Sequence, residues 1–184
     1  MSTAIIQVLK PNVSQEDAVR AFSARGFSRA YWNLRNGPLR RIASAYVPFS
    51  VYRVRYAMNR ASEDRLFALD AVDGSLDLFS FVRIPSGEEL RAIETRNFLE
   101  PALSEAEGTR ILRDKALRVI FQQGFFKLRS AQLDIQRQPA EFYMPYWLGF
   151  YQGRGAVRCR VLDAVRRRVE GAKASAFFEQ WLAA

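Results

Sequence analysis

The chain contains one pair of phrases twice. Residues 46–49 (YVPF) and 69–72 (LDAV) flank an aromatic, arginine-rich stretch, and they recur as 143–146 (YMPY) and 162–165 (LDAV). The first phrases lie 97 positions apart and the second 93, so the second copy is shorter between its landmarks. An internal repeat constrains architecture strongly, because each copy is expected to build the same supersecondary unit.

Each copy begins with a helix signal and continues with strand signals. Ser14 and Ser104 are favourable N-caps with acidic residues in the following turn, and Gly26 and Gly124 end the two apolar stripes. Alternating apolar residues then predict antiparallel strands. The predicted strands are 39–46, 51–56, 65–69 and 76–82 in the first copy, and 127–135, 141–151 and 156–162 in the second.

The sequence therefore predicts an α+β fold of two tandem repeats, each a helix packed on an antiparallel sheet. The expected boundaries are 1–83 for the first repeat, 84–103 for a connector with a short helix at 88–93, and 104–184 for the second repeat, which ends in a helix at 172–182. Pro48 and Pro145 are expected at a strand start, an edge or a bulge. Arg167 stands where the first copy has Gly74, which predicts a degenerate turn.

The start of the first helix (Ser14, Glu16, Ala18) and the closing phrase 69–76 (LDAVDGSL) resemble the PepSY-type repeat. The resemblance covers residues 14–82 well and 104–172 poorly, since Arg167 replaces the glycine of the phrase. It implies a small α+β module with a binding or inhibitory role, and it transfers no catalytic residue.

The chain has no histidine and a single cysteine, Cys159. This excludes a nucleophile activated by histidine, and it excludes a zinc site of the usual nitrogen and sulfur kind within one chain. No glycine-rich phosphate loop is present. We therefore expect no metal, no cofactor and no catalytic residue. We expect Cys159 to be an inert thiol in the core.

The formal net charge of +9 raises the question of nucleic acid. Arginine supplies 24 of the 28 basic residues, which is typical of a GC-rich coding sequence, and these residues are mostly scattered. Charge alone supports only non-specific attraction. A binder of nucleic acid or of an anionic membrane surface is therefore the alternative hypothesis.

Arginines in the strands are the main candidates for ligand contacts. Alternation places Arg53 and Arg55 on one face, with Val54 and Tyr56 on the other, and it places Arg65 on the face opposite Leu66. The second copy repeats this pattern with Arg158 and Arg160. Like charges close together need an anionic ligand, an acidic partner or the protein's own carboxylates between them. Intramolecular or solvated pairing is the favoured interpretation.

Three other residues stand out. Trp147 replaces Ser50 of the first copy, so the common scaffold does not explain it, and it is a candidate anchor for a partner or for the interface between the two halves. Asp70 and Asp163 occupy equivalent positions. A carboxylate pair would allow acid–base chemistry, but an aspartate at a strand end more often accepts hydrogen bonds from the next turn.

These observations predict a non-catalytic binding or scaffold protein. It would engage a protein or peptide partner through sheet faces or the groove between repeats, with a homodimer as one arrangement. No stretch is apolar enough for a membrane span, and the N-terminus lacks the pattern of a signal peptide. With only one cysteine, we expect a cytoplasmic location.

Overall fold

The structure is a computed structural model that describes residues 3–23, 37–58, 61–122, 133–152 and 157–183. These residues form an α+β fold with three α-helices. The helices are α1 (Gln15–Phe22), α2 (Glu105–Gln122) and α3 (Ala172–Ala183). The strands are β1 (Ala4–Leu9), β2 (Leu39–Met58), β3 (Ala61–Asp70), β4 (Phe79–Phe81), β5 (Leu90–Thr95), β6 (Leu133–Gln152), β7 (Val157–Asp163) and β8 (Arg168–Val169).

The strands belong to one mixed sheet in the order β4-β3-β2-β6-β1-β5, with β7 paired to β6 and β8 paired to β7 outside that path. Two long hairpins, β2–β3 and β6–β7, are antiparallel. In both hairpins the residue after the proline lies opposite an aspartate, since Phe49 pairs with Asp70 and Tyr146 pairs with Asp163. The hairpins therefore share one register.

The contacts divide the chain into two compact units. Unit 1 comprises Met1–Val47, Arg91–Leu99 and Tyr143–Ala184, and unit 2 comprises Pro48–Leu90 and Glu100–Phe142. β2 and β6 are each divided between the units. Unit 1 thus contains α1 with the part of β6 that pairs with β7, and unit 2 contains α2 with the part of β2 that pairs with β3. In each unit the helix and the hairpin come from different halves of the chain. These boundaries differ from the segments 1–83 and 104–184 that the repeat predicts.

The core of unit 2 lies between α2 and hairpin β2–β3. The side chains of Leu112, Ala116 and Ile120 on α2 are fully buried and share one cluster with aromatic residues of the hairpin. They recur at helical spacing, so one stripe of α2 faces the sheet. The hairpin side of this cluster consists of Tyr52, Val54, Tyr56, Phe67 and Leu69.

The core of unit 1 uses the same arrangement with other residues. Ala18 and Phe22 of α1 are buried against Tyr151 and Leu162 of hairpin β6–β7. The hydroxyl of Tyr151 donates a hydrogen bond of 2.7 Å to the carbonyl oxygen of Phe22, which fixes the end of α1 on the hairpin. A second cluster in unit 1 contains Ile6, Val8 and Tyr46.

The helix starts follow the sequence prediction. Ser14 caps α1, because its Oγ accepts a hydrogen bond from the Asp17 amide at 3.1 Å while the Asp17 carboxylate bonds back to Ser14. Ser104 and Glu107 form the same reciprocal pair before α2. Such a cap stabilises a helix by about 1 kcal/mol. The predicted ends at Gly26 and Gly124 and the strand start at Lys127 lie outside the described residues.

Two other predictions differ from the structure. The short helix predicted at 88–93 is wrong: a single 3-10 turn (Gly87–Glu89) leads directly into β5. The predicted break between strands 39–46 and 51–56 is absent, because β2 continues through Pro48, and β6 likewise continues through Pro145. Both prolines directly precede the first residue pair of their hairpin ladder. Their carbonyl oxygens accept hydrogen bonds from Ala71 and Ala164 at 2.8 and 3.1 Å. Each proline therefore accepts a hydrogen bond from the residue just after the opposite strand through its carbonyl oxygen, although it has no amide N–H to donate.

A glycine allows a close contact between helix and hairpin in each unit. In unit 1 it lies on the strand: a Cβ at Gly149 would be 2.8 Å from Cδ2 of Phe22. In unit 2 it lies on the helix, where Gly108 meets the hydroxyl of Tyr52. An aromatic side chain occupies the space beside the glycine in each unit. In unit 1 it comes from the helix (Phe22), and in unit 2 it comes from the hairpin (Tyr52).

None of the helices in the described part of the chain is both long and apolar enough to cross a membrane.

Candidate functional site

The register of hairpin β2–β3 decides which side chains share a face. Residues directly opposite each other lie on the same face, and Arg53 opposes Leu66 while Arg55 opposes Asp64. These four residues define the open hairpin face. Their side chains are exposed or half-buried, in contrast to the buried residues that face α2. Alternation had predicted that Arg53 and Arg55 share a face.

The charges on the open hairpin face are paired within the protein. The Nε of Arg55 donates to Oδ1 of Asp64 at 2.8 Å, and Nη2 donates to Oδ2 at 3.3 Å. This hydrogen bond raises the pKa of Arg55 and lowers the pKa of Asp64. The charge of Arg53 also lowers the pKa of Asp64, and Asp134 raises that of Arg55. Asp64 is therefore bound to Arg55 and also feels the charge of Arg53.

Arg65 lies on the other face of the same hairpin, because it opposes Val54. Its Nη2 lies 3.5 Å from Oε2 of Glu63, which also accepts a 2.7 Å hydrogen bond from the Tyr56 hydroxyl. Burial and this hydrogen bond raise the pKa of Tyr56 to about 12. The Arg65 guanidinium lies 5.8 Å from the centre of the Tyr56 ring. Arg65 therefore belongs to a structural cluster and not to a site with Arg53 and Arg55.

The candidates of the second copy lie in unit 1 on the face of hairpin β6–β7 that packs on α1. Arg158 opposes Tyr151 and Arg160 opposes Gly149, and both of these partners contact or bond Phe22. This is not the counterpart of the open hairpin face, because Arg53 and Arg55 point away from the helix of their unit. The repeated arginines of the sequence thus occupy different environments.

Trp147 also has a structural role. Its Nε1 donates a 3.1 Å hydrogen bond to the carbonyl oxygen of Val13, just before α1. Its ring packs on the cluster formed by α1 and hairpin β6–β7. The side chain is half-buried and its polar atom is occupied within the protein, so Trp147 positions the start of α1.

The opposite face of hairpin β6–β7 is covered by α3. Phe178 is fully buried, with its ring centre 5.4 Å from that of Tyr146 and 5.1 Å from that of Phe177. Beyond these rings, at the end of the hairpin, lies a cavity of about 480 Å³ that we call the tip cavity. Its lining includes Arg41, Phe150, Val157, Cys159, Glu179 and Leu182.

Sequence reasoning missed the tip cavity. Val157 and Leu182 at its lining are 55% and 47% exposed. Their apolar character is visible in the sequence, but their convergence depends on how α3 returns to the hairpin. Cys159 is buried as expected, and burial raises the pKa of its thiol to about 12. Its amide donates to Oε1 of Glu179 at 3.0 Å.

The two buried aspartates cap turns. Asp70 accepts three backbone hydrogen bonds of 2.8 to 3.1 Å, from Asp73 and Gly74 to Oδ1 and from Leu76 to Oδ2. Asp163 accepts only two, both on Oδ1, from Val165 and Arg166. Burial raises the pKa of both carboxyls. Each aspartate is therefore bound within its own turn, as the structural interpretation predicted.

Asp163 retains one unsatisfied oxygen. Within the described residues, Oδ2 is buried without a hydrogen-bond partner, and the Nε of Arg166 lies 3.8 Å away. The turn that follows keeps the backbone shape of the first turn, but its aspartate accepts two backbone hydrogen bonds instead of three. Arg167 adopts a left-handed φ of 58°, close to the 67° of Gly74 in the other turn. The backbone shape is kept although the glycine is missing, so the arginine carries the strain.

Unit 2 also has a polar cavity of about 610 Å³, lined by Glu105, Arg137, Gln138, Pro139 and Glu141. Arg137 donates to Glu141 and, at 3.3 Å, to Oγ of Ser50, and it lies 3.9 Å from Glu105. Its guanidinium is thus already surrounded by acceptors of the same unit. In the described ranges, no three acidic, cysteine or histidine side chains are grouped to hold a metal ion.

Comparisons with known proteins give no relative from which a role can be transferred. Searches against protein families, curated proteins and solved structures each found no match to this chain.

Proposed function

We propose that the chain is a non-catalytic binding or scaffold protein that engages a protein partner through the open hairpin face. One observation carries this proposal. Hairpin β6–β7 has a helix on each face, with α3 packed through Phe178 against the face away from α1. The open hairpin face is the corresponding surface of β2–β3, and its Arg53, Arg55 and Asp64 side chains are exposed among the described residues. An amphipathic helix of a partner is the occupant that fits.

The charge pattern supports a protein rather than a polyanion. Arg55 is paired with Asp64, and Arg53 and Asp134 both act electrostatically on this pair, so the surface carries charges of both signs. A helix with both acidic and basic side chains beside an apolar stripe would complement this pattern, with Leu66 as the apolar contact. Nucleic acid or an anionic membrane surface, the alternative, favours unbalanced positive charge. That alternative rests on the net charge of +9 and on the strand arginines, of which Arg65 lies on the other face from Arg53. These arginines are Arg53, Arg55, Arg65, Arg158 and Arg160.

We attribute the scaffold to an internal duplication of the PepSY-like kind, with 1–83 and 104–184 as the two copies. Parallel pairings support it: Val8 pairs with Tyr143, and Phe98 pairs with Tyr46. In both pairs the two residues come from opposite halves of the chain. The carbonyl oxygen of Ala71 accepts from Leu103 and that of Ala164 from Asn12, just before each helix. An exchange of equivalent segments between two copies explains these matches.

A non-catalytic role agrees with the hydrogen bonding of Asp70 and Asp163, because both carboxylates accept hydrogen bonds from backbone amides. A hydrolytic activity of the purified protein that Asp70→Asn or Asp163→Asn abolishes would refute this part of the proposal. The cytoplasmic location remains a prediction from the single cysteine.

The partner surface is tested by charge reversal with a matched control. Arg53→Glu changes the open hairpin face, whereas Arg113→Glu makes the same change on an exposed position of α2. The immobilised full chain is used to isolate binding proteins, and each is then purified and titrated against both variants. We expect Arg53→Glu to weaken binding at least about tenfold and Arg113→Glu to leave it unchanged.

Three results would count against the proposal. Equal effects of the two variants would remove the open hairpin face from the interaction. Bound nucleic acid whose affinity falls steeply with salt would favour the alternative function. A second copy of the chain as the only bound protein would make the face a homodimer interface, which sedimentation of the two variants would show.

A further inference from the structure

The tip cavity of unit 1 has the size and the lining of a small-molecule site. Its volume of about 480 Å³ falls within the range of ligand pockets, roughly 300 to 1,000 Å³. Phe150, Val157 and Leu182 provide an apolar wall, and the last two are exposed to about half of their full extent. Covering these side chains with a hydrocarbon group would remove apolar surface from water.

One cation at this cavity has no partner in the described part of the chain. Arg41 lines the cavity, its side chain is exposed, and none of the hydrogen bonds or ion pairs among the described residues involves it. The arginines of the open hairpin face differ in this respect, since Arg55 is bound to Asp64. A guanidinium is well suited to hold a carboxylate with two parallel hydrogen bonds.

The other polar groups of the cavity are less available. Oε1 of Glu179 accepts the amide of Cys159 at 3.0 Å, which holds this carboxylate against the edge of β7. The Cys159 thiol has a pKa of about 12 and stays neutral near pH 7. A ligand would therefore bind without forming a covalent bond, and Arg41 is the exposed cation of the lining that can pair with its head group, beside the Glu179 carboxylate.

We propose that the tip cavity binds an amphiphilic monocarboxylate, such as a medium-chain fatty acid. Its hydrocarbon chain lies against Phe150, Val157 and Leu182, and its carboxylate pairs with Arg41. The net charge of +9 raises the local concentration of such anions. This inference concerns unit 1 and does not depend on the partner surface proposed for unit 2.

Calorimetric titration of the full chain at low ionic strength tests the site, with octanoate and octanol as probes. We expect saturable binding of octanoate with a dissociation constant below about 1 mM. Octanol should bind at least about tenfold more weakly, because it lacks the charge. Arg41→Gln should reduce octanoate affinity about tenfold and leave the affinity for octanol unchanged.

Arg158→Gln is the matched control, because Arg158 is an exposed arginine of β7 on the face that packs on α1. It should leave both affinities unchanged. Leu182→Asp should weaken both probes while circular dichroism stays unaltered, since Leu182 is half exposed. The proposal is overturned if octanoate does not saturate, if octanol binds equally well, or if Arg41→Gln and Arg158→Gln have equal effects.

Discussion

The two hairpins share a register but are covered in different ways. On β6–β7 the face away from α1 lies under α3, where Phe178 meets Tyr146. On β2–β3 the corresponding face is covered near Pro48 by an aromatic residue of the neighbouring strand β4. The ring of Phe79 packs edge-on against that of Phe49, with the ring centres 5.4 Å apart. A helix covers the hairpin further than a three-residue strand does. In unit 1 the tip cavity lies beside the end of α3. In unit 2 the open hairpin face, with its charged side chains, lies beyond the short strand β4.

The largest expected effect is the loss of the helical cover. Phe178→Ala should lower the free energy of unfolding by about 3 to 5 kcal/mol, because it empties a fully buried ring site. Leu182→Ala, on the same helix but half exposed, should cost less than about 1 kcal/mol. Urea denaturation measures both. Similar costs for the two variants would mean that α3 does not cover the hairpin through Phe178.

The buried aspartates sharpen the comparison. Asp70→Asn should cost about 2 to 3 kcal/mol, because one of its two oxygens, each of which accepts a backbone amide, becomes an NH₂ group. Asp163→Asn should change stability by less than about 1 kcal/mol, since Oδ2 accepts no hydrogen bond in the described residues. Denaturant unfolding of both variants decides this, and equal losses would contradict the different hydrogen bonding of the two turns.

Burial of the Asp163 carboxyl also predicts that the stability of the fold depends on pH. Burial raises the pKa of Asp163 above its usual 3.8, so the folded protein holds this proton more tightly than the unfolded chain does. The resulting stabilisation is complete below about pH 4 and is lost as the pH rises through the raised pKa. The stability of the wild type relative to Asp163→Asn should therefore fall from pH 4 to pH 7. A rise over this range would show that the carboxylate is stabilised by folding.

The helix–hairpin interface of unit 1 depends on the contact between Gly149 of the strand and Phe22 of the helix. Gly149→Ala should destabilise by about 1 to 3 kcal/mol, because the new Cβ would lie 2.8 Å from the Phe22 ring. Phe22→Leu in the same chain should recover part of that loss. A double-mutant cycle measures the coupling, and purely additive costs would contradict the close approach.

The smallest expected effect concerns the left-handed residue of the second turn. Arg167→Gly should stabilise the protein by about 0.5 to 1 kcal/mol, because glycine adopts the φ of 58° without strain. Gly74→Ala should destabilise by about 1 to 3 kcal/mol, since it adds strain and a Cβ 2.9 Å from Ile111. Thermal unfolding compares the two. A stabilising Gly74→Ala would show that this turn does not need glycine.

Local features of the fold could be predicted from the sequence. The capping serines Ser14 and Ser104 gave the starts of α1 and α2 correctly, because capping depends on neighbours within one turn. The alternation of side chains along a strand placed Arg53 and Arg55 on one face, because it too depends only on neighbouring residues. The segment 88–93 was misassigned because its apolar residues are compatible with either period, and pairing within the sheet decided for a strand.

Long-range features could not be predicted. The repeat suggested that each helix packs on the strands that follow it, yet α1 packs on β6–β7 and α2 on β2–β3. No local pattern encodes which hairpin a helix stripe meets. The relation between strands is of the same kind: alternation within β3 separates Arg65 from Leu66, but only the pairing of β3 with β2 shows that Arg65 and Arg53 lie on opposite faces. The tip cavity depends on the return of α3, which spacing does not reveal.

The central claim is that equivalent faces of the two hairpins are covered in unit 1 and open in unit 2. Thiol labelling tests it directly, because Cys159 is the only cysteine of the chain. The rate of alkylation of Cys159 in the native protein is compared with that of Arg53→Cys in a Cys159→Ala background. With a pKa of about 12 and a buried side chain, Cys159 should react at least about a thousandfold more slowly. Equal rates at the two positions would contradict the account.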